Sequence, residues 1–215
     1  MEIIRTKVGF DNMFTVDCSG RSGGLALLWK KELNLTIVNH SRNFIDATIN
    51  SVSSSPLWRY TGFYGCPKRH RHAESWDLLK QLSLNNSLPW ILMGDFNDFL
   101  SHDENLGGAT HPNRLIQGFW EAVNFSGLFD LTFNGYQFTW DKGIGTTNWV
   151  REKLDRILVN GRWLDRFGYA RVESFEALVS DHLPLAVWPF PATRIRTNRK
   201  FKFENCWLKE ASVET

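Results

Sequence analysis

The sequence predicts an α/β sandwich built from mixed sheets. Short β-type runs dominate the chain, two segments have a helical period, and neighbouring strands separated by short turns indicate antiparallel pairing. Of its 215 residues 42% are hydrophobic and 22% charged, which is the balance of a folded protein. No stretch approaches the roughly 18 apolar residues of a membrane span, and the first ten residues lack the apolar core of a signal peptide.

Nine short segments read as strands. Those from residue 35 to residue 64 alternate apolar with polar side chains, the period of half-buried strands, and predict an antiparallel meander. The serine-rich patch 51–55 reads as a hairpin loop within it. The predicted strands are residues 25–29, 35–40, 44–51, 58–64, 90–93, 138–140, 154–159, 171–175 and 185–188.

Two segments have the period of a helix. Apolar side chains recur every three residues in 74–84 and every four in 114–125, and Asn113 is placed to cap the first turn of the second helix. Between them, residues 90–93 are four apolar residues that end at Gly94, which predicts a buried strand.

The composition changes near the C-terminus and predicts a domain boundary. Residues 1–190 form the predicted domain, and residues 191–215 read as a basic linker. The segment from residue 192 holds six basic and three acidic residues, whereas the preceding residues carry a net charge of −1. Charge alone therefore does not indicate a nucleic-acid partner. The three scattered cysteines fit a reducing compartment.

A carboxylate and an amide follow the strand at residues 90–93. Asp95 and Asn97 are two residues apart and therefore lie on one side at the strand's end. Two interpretations are open: the pair forms a simple Asx-turn, or it carries chemistry.

Two further acidic positions have a functional and a structural interpretation. Asp181 and His182 precede the last predicted strand and could bind a metal, hold a phosphate or transfer a proton, or form a capped turn with a surface histidine. Asp155 lies inside an apolar strand, where it either faces solvent or orients a histidine on a neighbouring strand.

A tyrosine and a basic run follow the strand at residues 58–64. Tyr64 ends that strand, and Lys68, Arg69 and Arg71 come shortly after it. The basic run is either a solvated loop or a phosphate clamp.

The order of these motifs resembles the endonuclease/exonuclease/phosphatase superfamily, which has a DNase I-like fold. The series is a strand ending in Tyr64, then Gly-Asp-Phe-Asn at 94–97, Leu-Asp-Arg-Ile-Leu at 154–158, and Ser-Asp-His-Leu-Pro at 180–184. More closely, the chain looks like the endonuclease domain of plant non-LTR (LINE-type) retrotransposons. Three segments are typical of those elements, namely residues 20–29, 138–140 and 202–207.

The resemblance implies an architecture and an activity. The expected fold is a DNase I-like α/β sandwich of two mixed, mostly antiparallel sheets flanked by helices. Family members hydrolyse phosphodiesters, or phosphomonoesters in some branches, with a divalent metal, usually Mg²⁺. The implied partner is DNA, with no membrane. The tail is similar to the connector before a reverse transcriptase, which implies fusion to or derivation from one, and a nuclear location by analogy.

The resemblance also implies a role for each matching residue. Asp95 is expected to orient and deprotonate the attacking water, and Asn97 to hydrogen-bond the scissile phosphate. His182 is expected to contact a phosphate oxygen, with Asp155 holding its tautomer, and Asp181 is expected at or near the metal. Tyr64 matches the family tyrosine that touches the phosphate.

One departure from the family pattern concerns the metal. Family domains open with a strand that bears an asparagine and a second that ends in a metal-binding glutamate. Residues 1–10 here match the helix after that glutamate, and Glu2 does not match the ligand. We therefore expect a fold lacking its first strand or strands, with weak or lost Mg²⁺ binding and impaired activity. Two alternatives stay open: a non-catalytic retroelement remnant with at most weak nucleic-acid binding, and a phosphatase acting on a small phosphorylated ligand.

Overall fold

The computed structural model describes residues 1–19, 22–51, 56–84, 86–133, 136–177 and 180–189. Four features named from the sequence lie outside these residues, wholly or in part. They are the glycine-rich start of segment 20–29, the serine-rich loop from residue 52, segment 202–207 and the basic linker 191–215.

Helices and strands alternate irregularly along the chain. In chain order they are α1 (Glu2–Lys7), β1 (Asn12–Ser19), β2 (Ser22–Trp29), β3 (Leu35–Ser41), β4 (Phe44–Asn50), β5 (Pro56–Tyr64), α2 (His72–Ser83), β6 (Trp90–Asp95), β7 (Asn105–Leu106), α3 (Asn113–Phe125), β8 (Leu128–Asp130), β9 (Trp140–Lys142), β10 (Val150–Glu152), β11 (Asp155–Asn160), α4 (Gly161–Phe167), β12 (Arg171–Ser174) and β13 (Leu185–Trp188).

A six-stranded mixed sheet forms the centre, in the order β3-β4-β5-β6-β11-β8. Strands β3, β4 and β5 form the predicted antiparallel meander, and β5 pairs in parallel with β6 after a crossover through α2. Smaller sheets are β1-β2, β7-β10-β9 and β12-β13. The predicted fold class, an α/β architecture of mixed sheets flanked by helices, is confirmed.

Helices α2 and α3 cover one face of the central sheet. Their apolar sides pack with side chains of β4, β5, β6 and β11 in one continuous core. Burial of such large side chains stabilises the fold by roughly 1.5–3 kcal/mol each. The principal members are Phe63, Leu79, Trp90, Phe119 and Leu158.

Helix α4 and the β12-β13 hairpin cover the opposite face. Trp163 and Phe167 of α4 pack there against Ile91 and Ile157 of the sheet, and Val172 of β12 joins them. The central strands β6 and β11 are thus apolar on both sides, which explains why their sequences read as continuous apolar runs. No helix in the described part of the chain is long and apolar enough to cross a membrane.

The local predictions differ from the structure at several points. Asn113 is the first residue of α3 and not its cap, because Pro112 occupies the cap position and the Asn113 Oδ1 lies 2.6 Å from Nε2 of His102. The alternation in residues 44–51 predicted a half-buried strand, but β4 is buried on both faces, and β9 begins at Trp140, where the predicted strand 138–140 ends. Strands β1, β7, β8 and β10 and helix α4 were not predicted.

An ion pair accounts for the burial of the polar face of β4. The carboxylate of Asp46, only 4% exposed, accepts hydrogen bonds from Arg59 Nε at 2.8 Å and from Thr61 Oγ1 at 2.7 Å. Buried polar groups persist when they are hydrogen-bonded in this way. The polar residues that alternate in β4 are therefore explained by hydrogen bonds to side chains of β5 and not by exposure to solvent.

Candidate active site

Three of the predicted site residues lie side by side across the central sheet. In the parallel pair β5-β6, Tyr64 is opposite Asp95, and in the antiparallel pair β6-β11, Asp95 is opposite Asp155. Residues that share a level of a sheet project to the same side. Strand pairing therefore aligns Tyr64, Asp95 and Asp155, which lie far apart in the sequence. Tyr64 lines one cavity, whereas Asp155 and His182 line another.

Two glycines permit this close approach of the strand ends. Gly94 has a φ of 146°, and a Cβ there would lie 2.0 Å from the carbonyl oxygen of Phe63. A Cβ on Gly65 would lie 2.1 Å from the carbonyl oxygen of Phe96. Both positions need glycine because the backbone of one strand end occupies the space of a side chain on the other.

Asp95 and Asn97 form a tight turn at the end of β6. Oδ1 of Asp95 accepts a hydrogen bond from the Asn97 backbone N–H at 2.9 Å, and Oδ2 accepts one from Asn97 Nδ2 at 2.7 Å. Asn97 has a φ of 54°, a left-handed conformation that asparagine tolerates. The Asx-turn exists, and it holds the amide beside the carboxylate that faces Asp155.

Asp155 and His182 form a hydrogen-bonded pair. Nδ1 of His182 lies 2.8 Å from Oδ2 of Asp155, and the side chains of His182 and Asp155 are 34% and 18% exposed. The hydrogen bond to Asp155 raises the pKa of His182, with Asp95 and Asp181 adding to the effect. Because Nδ1 is engaged, Nε2 is the nitrogen left for a substrate.

Burial and a neighbouring negative charge raise the pKa of Asp95. Burial, followed by repulsion from Asp155, raises its pKa to about 7, although His182 and the hydrogen bonds from Asn97 oppose the shift. A carboxylate with such a pKa can both accept and release a proton near neutral pH.

Thr139 holds the two halves of the site together, although no sequence pattern assigned it a role there. Its buried Oγ1 accepts hydrogen bonds from the backbone N–H groups of Leu154 at 3.0 Å and Asp155 at 2.8 Å. Its carbonyl oxygen accepts one from the Leu183 N–H at 2.8 Å. The strand with Asp155 and the segment with His182 are thereby fixed to one residue of the Phe-Thr-Trp motif at 138–140.

Asp181 lies at the exposed rim of the site. Its Oδ2 accepts a hydrogen bond from Trp140 Nε1 at 2.9 Å, and its carbonyl oxygen accepts one from the Asp141 N–H at 3.0 Å. The Trp140 bond orients the carboxylate and leaves the second oxygen for another ligand. This oxygen and the Asp95 carboxylate are hard donors of the kind that Mg²⁺ prefers.

The three basic residues predicted to bind phosphate, Lys68, Arg69 and Arg71, have different surroundings in the structure. Arg71 lines a cavity together with Tyr64, but its guanidinium makes two 2.7 Å hydrogen bonds to Glu74. The charge of Arg69 acts on Glu152, whose pKa burial raises and Arg69 opposes. Lys68 is exposed at the residue before the 3₁₀ turn Arg69–Arg71. Of the three, Arg71 is the one that the fold brings to a cavity wall with a site residue.

The sheet and the side chains at its edge define the class of protein. A mixed sheet between helices, with a tyrosine, two aspartates, an asparagine and a histidine on its strand ends and loops, is the arrangement of the DNase I-like class. The sequence profile described as "Endonuclease/Exonuclease/phosphatase family" matches residues 6–182. The chain belongs to this family, as its motifs predicted.

Solved structures show the same fold. The endonuclease domain of TRAS1, a telomere-specific non-LTR retrotransposon, is 16% identical with a TM-score of 0.60, over 82% of this chain and 78% of that one. The 3′ phosphatase NExo from Neisseria, bound to product DNA hairpin, is 17% identical with a TM-score of 0.57, over 86% and 81%. A family protein from Leptotrichia buccalis is 17% identical with a TM-score of 0.54, over 87% and 75%. Curated protein sequences yield no significant match.

Proposed function

We propose that this domain hydrolyses phosphodiester bonds in DNA with Mg²⁺, as an endonuclease of the retrotransposon type. The observation that carries the proposal is the row Tyr64–Asp95–Asp155 together with the 2.8 Å contact between Asp155 and His182. These groups can activate water, bind a phosphate and neutralise its charge from one side of the sheet.

Asp181 is the residue that would hold the divalent ion. The oxygen of its carboxylate that does not bind Trp140 is a hard donor at the rim of the site, and the repulsion between Asp155 and Asp95 indicates an excess of negative charge nearby. When bound, the ion would polarise a phosphate oxygen and offset the charge of the transition state.

Asp95 acts as the base in this proposal. It accepts a proton from the attacking water, for which its raised pKa of about 7 is suited. Asn97 donates its backbone N–H to one oxygen of Asp95 and its side-chain amide to the other, and so positions the carboxylate. The amide reaches the phosphate by releasing its second hydrogen bond, the 3.2 Å bond to the carbonyl oxygen of Gly65.

His182 and Asp155 stabilise the charge that develops on the phosphate. Asp155 accepts a hydrogen bond from the Nδ1–H of His182 and favours the protonated imidazole. The Nε2–H of that imidazole can then donate to a phosphate oxygen. Tyr64 contacts the same phosphate, and Lys68, Arg69 and Arg71 attract the DNA backbone.

The number of carboxylate oxygens left free determines how tightly the site can bind Mg²⁺. Both oxygens of Asp95 accept hydrogen bonds from Asn97, and one oxygen of Asp181 accepts a hydrogen bond from Trp140. The described residues therefore offer the ion few free carboxylate oxygens. The proposal therefore includes a weak Mg²⁺ site and a correspondingly slow hydrolysis. It also includes the domain boundary near residue 190 and a role for the basic segment 191–215 as a linker toward a reverse transcriptase.

The first test is nicking of supercoiled plasmid by the purified chain over a Mg²⁺ titration. We expect nicking that saturates only at millimolar metal, and a loss of about a hundredfold to a thousandfold in His182→Ala. His40→Ala is the matched control, because His40 is an exposed histidine on the edge strand β3. If His182→Ala still nicks the plasmid, the proposed role of His182 is wrong. If the wild-type chain does not nick it, the alternative of a non-catalytic retroelement remnant is favoured.

A phosphatase is the second candidate function. One observation favours it: the fold matches that of a 3′ phosphatase bound to product DNA hairpin, at a TM-score of 0.57. A DNA hairpin with a 3′-terminal phosphate, supplied beside the plasmid, separates the two activities. Release of inorganic phosphate without plasmid nicking would replace the endonuclease proposal with this one.

A further inference from the structure

A second cluster of ionisable side chains is buried inside the protein, next to the segment that carries Asn97. His72 opens helix α2, Asp98 follows Asn97 directly, and His111 lies two residues before α3. Their exposures are 3%, 1% and 3%. The proposed hydrolysis uses none of the three.

Asp98 is the centre of this cluster. Its Oδ1 lies 3.1 Å from Nε2 of His111, and its Oδ2 lies 3.0 Å from Nδ1 of His72. Trp76 Nε1 donates to Oδ2 at 2.8 Å, and the Phe99 N–H donates to Oδ1 at 3.0 Å. The carboxylate is thus fixed in orientation with an imidazole at each oxygen.

The two histidines are only partly satisfied by hydrogen bonds, since in the described part of the chain Nε2 of His111 alone has a partner, Asp98. Within the described residues, neither nitrogen of His72 and not Nδ1 of His111 has a hydrogen-bond partner. His72 Nδ1 approaches Asp98 closely, but the pair does not have the direction of a hydrogen bond. An unpaired buried polar group is costly, so the cluster as it stands lacks a component.

The donor set identifies that component. One atom from each residue can be chosen so that all three lie within 4.8 Å of one another. Two ligands about 2.0–2.1 Å from a tetrahedral ion lie about 3.3 Å apart. The two carboxylate–imidazole distances, 3.0 and 3.1 Å, are close to this value, and the two imidazoles lie within 4.8 Å of each other. Two imidazoles and one carboxylate suit zinc or a neighbouring transition ion and not Mg²⁺, which prefers oxygen.

We propose that His72, Asp98 and His111 form a structural site for Zn²⁺ or a similar first-row transition ion, separate from the hydrolytic centre. The ion joins the start of α2, the segment after β6 and the loop before α3. Because Asp98 follows Asn97 directly, it also secures the left-handed turn that presents Asn97 at the site.

The test is zinc content and thermal stability of the purified chain. We expect zinc, measured by mass spectrometry, to remain equimolar with the chain after dialysis without chelator, and cobalt to substitute with visible absorption bands. EDTA lowers the melting temperature, and Zn²⁺ but not Mg²⁺ restores it. In His72→Gln and His111→Gln the bound zinc and the zinc-dependent rise in melting temperature are both lost, whereas His40→Ala retains them.

The wild-type chain alone can decide the proposal if the variants fail to fold. A chain without stoichiometric zinc whose melting temperature does not respond to added Zn²⁺ would overturn it. So would folded glutamine variants that retain as much zinc as the wild type. Neither result depends on nicking activity, so the zinc proposal and the endonuclease proposal stand or fall separately.

Discussion

The raised pKa of the His182 imidazole is due chiefly to Asp155. The 2.8 Å hydrogen bond raises the pKa of His182, and the same carboxylate contributes to the raised pKa of Asp95. Asp155 thereby affects the pKa of both groups that we propose to act on the substrate, as the main cause for His182 and as the second cause, after burial, for Asp95. The pair with His182 stabilises the fold below the ordinary imidazole pKa, and this contribution is lost as the pH rises through the raised pKa.

Asp155→Asn isolates the effect of this charge. The amide oxygen can still accept the Nδ1 proton, but the negative charge is gone, so the pKa of His182 falls toward or below its ordinary value of 6.5. Titration of the His182 ring resonance by NMR measures the change. Asp165→Asn, at an exposed position of α4, is the control and leaves the titration unchanged. An unaltered His182 titration in Asp155→Asn would show that Asp155 is not what raises the pKa of His182.

At the scale of elements, the site depends on how strand ends are joined. Strand pairing aligns Tyr64, Asp95 and Asp155, but His182 lies on a segment outside the central sheet. Thr139 joins that segment to β11 through its side chain and its carbonyl oxygen. The Phe-Thr-Trp motif at 138–140 therefore links the two elements that carry the Asp155–His182 pair.

Thr139→Val removes this link without changing the shape of the side chain. The N–H groups of Leu154 and Asp155 lose their acceptor, and we expect a loss of about 1–3 kcal/mol in the free energy of unfolding. Urea denaturation measures it. Thr139→Ser keeps the hydroxyl and is expected to lose less than half as much. Equal stability of the valine variant and the wild type would show that the link is not needed.

At the scale of the whole molecule, a buried arginine joins distant parts of the chain. Arg156 on β11 is fully buried and forms ion pairs with Glu104 and with Asp130, the latter at 2.8 Å. Its Nη2 also donates to the carbonyl oxygen of Asp98 at 3.3 Å. The arginine thus connects strands β11 and β8 of the central sheet with the loop after β6, while apolar layers cover both faces of the sheet.

Arg156→Met leaves two buried carboxylates with less compensation. We expect the free energy of unfolding to fall by about 3–5 kcal/mol, because breaking a buried ion pair strands its partners. Arg171→Met, at an exposed ion pair on β12, is the control and changes it by less than about 1 kcal/mol. Chemical denaturation of both variants gives the comparison, and similar losses in the two would refute a special role for Arg156.

Much of the fold follows from the pattern of side chains. The meander, the central strands and the helices α2 and α3 were predicted because period two and period 3.6 are local properties. Strands β1, β7, β8 and β10 and helix α4 were missed. The short strands and α4 are two to seven residues long, which is too short for a period to show in the sequence. The double-sided burial of β4 was missed because Arg59 and Thr61 satisfy Asp46 from the neighbouring strand.

The site was predictable as a set of motifs but not as a geometry. The order of Tyr64, Asp95, Asp155 and His182 along the chain indicated a family, and the register of β5, β6 and β11 places the first three at one level. The hydroxyl at residue 139 and the buried histidine pair of the zinc proposal had no comparable signal. Their partners lie tens of residues away or in other elements, and local sequence does not encode such pairings.

The sequence by itself determined the periodicity of the main strands and helices, the glycines at which strand ends can approach, and the chemical types that end each strand. The tertiary structure alone decided which of these groups meet. The register of β6 and β11 places Asp95 beside Asp155. The hydrogen bonds of Thr139 to Asp155 and Leu183 fix the segment of His182 next to β11, and burial raises the pKa of Asp95. The physical reason is that hydrogen-bond direction and desolvation are properties of a packed environment, which exists only once distant segments have come together.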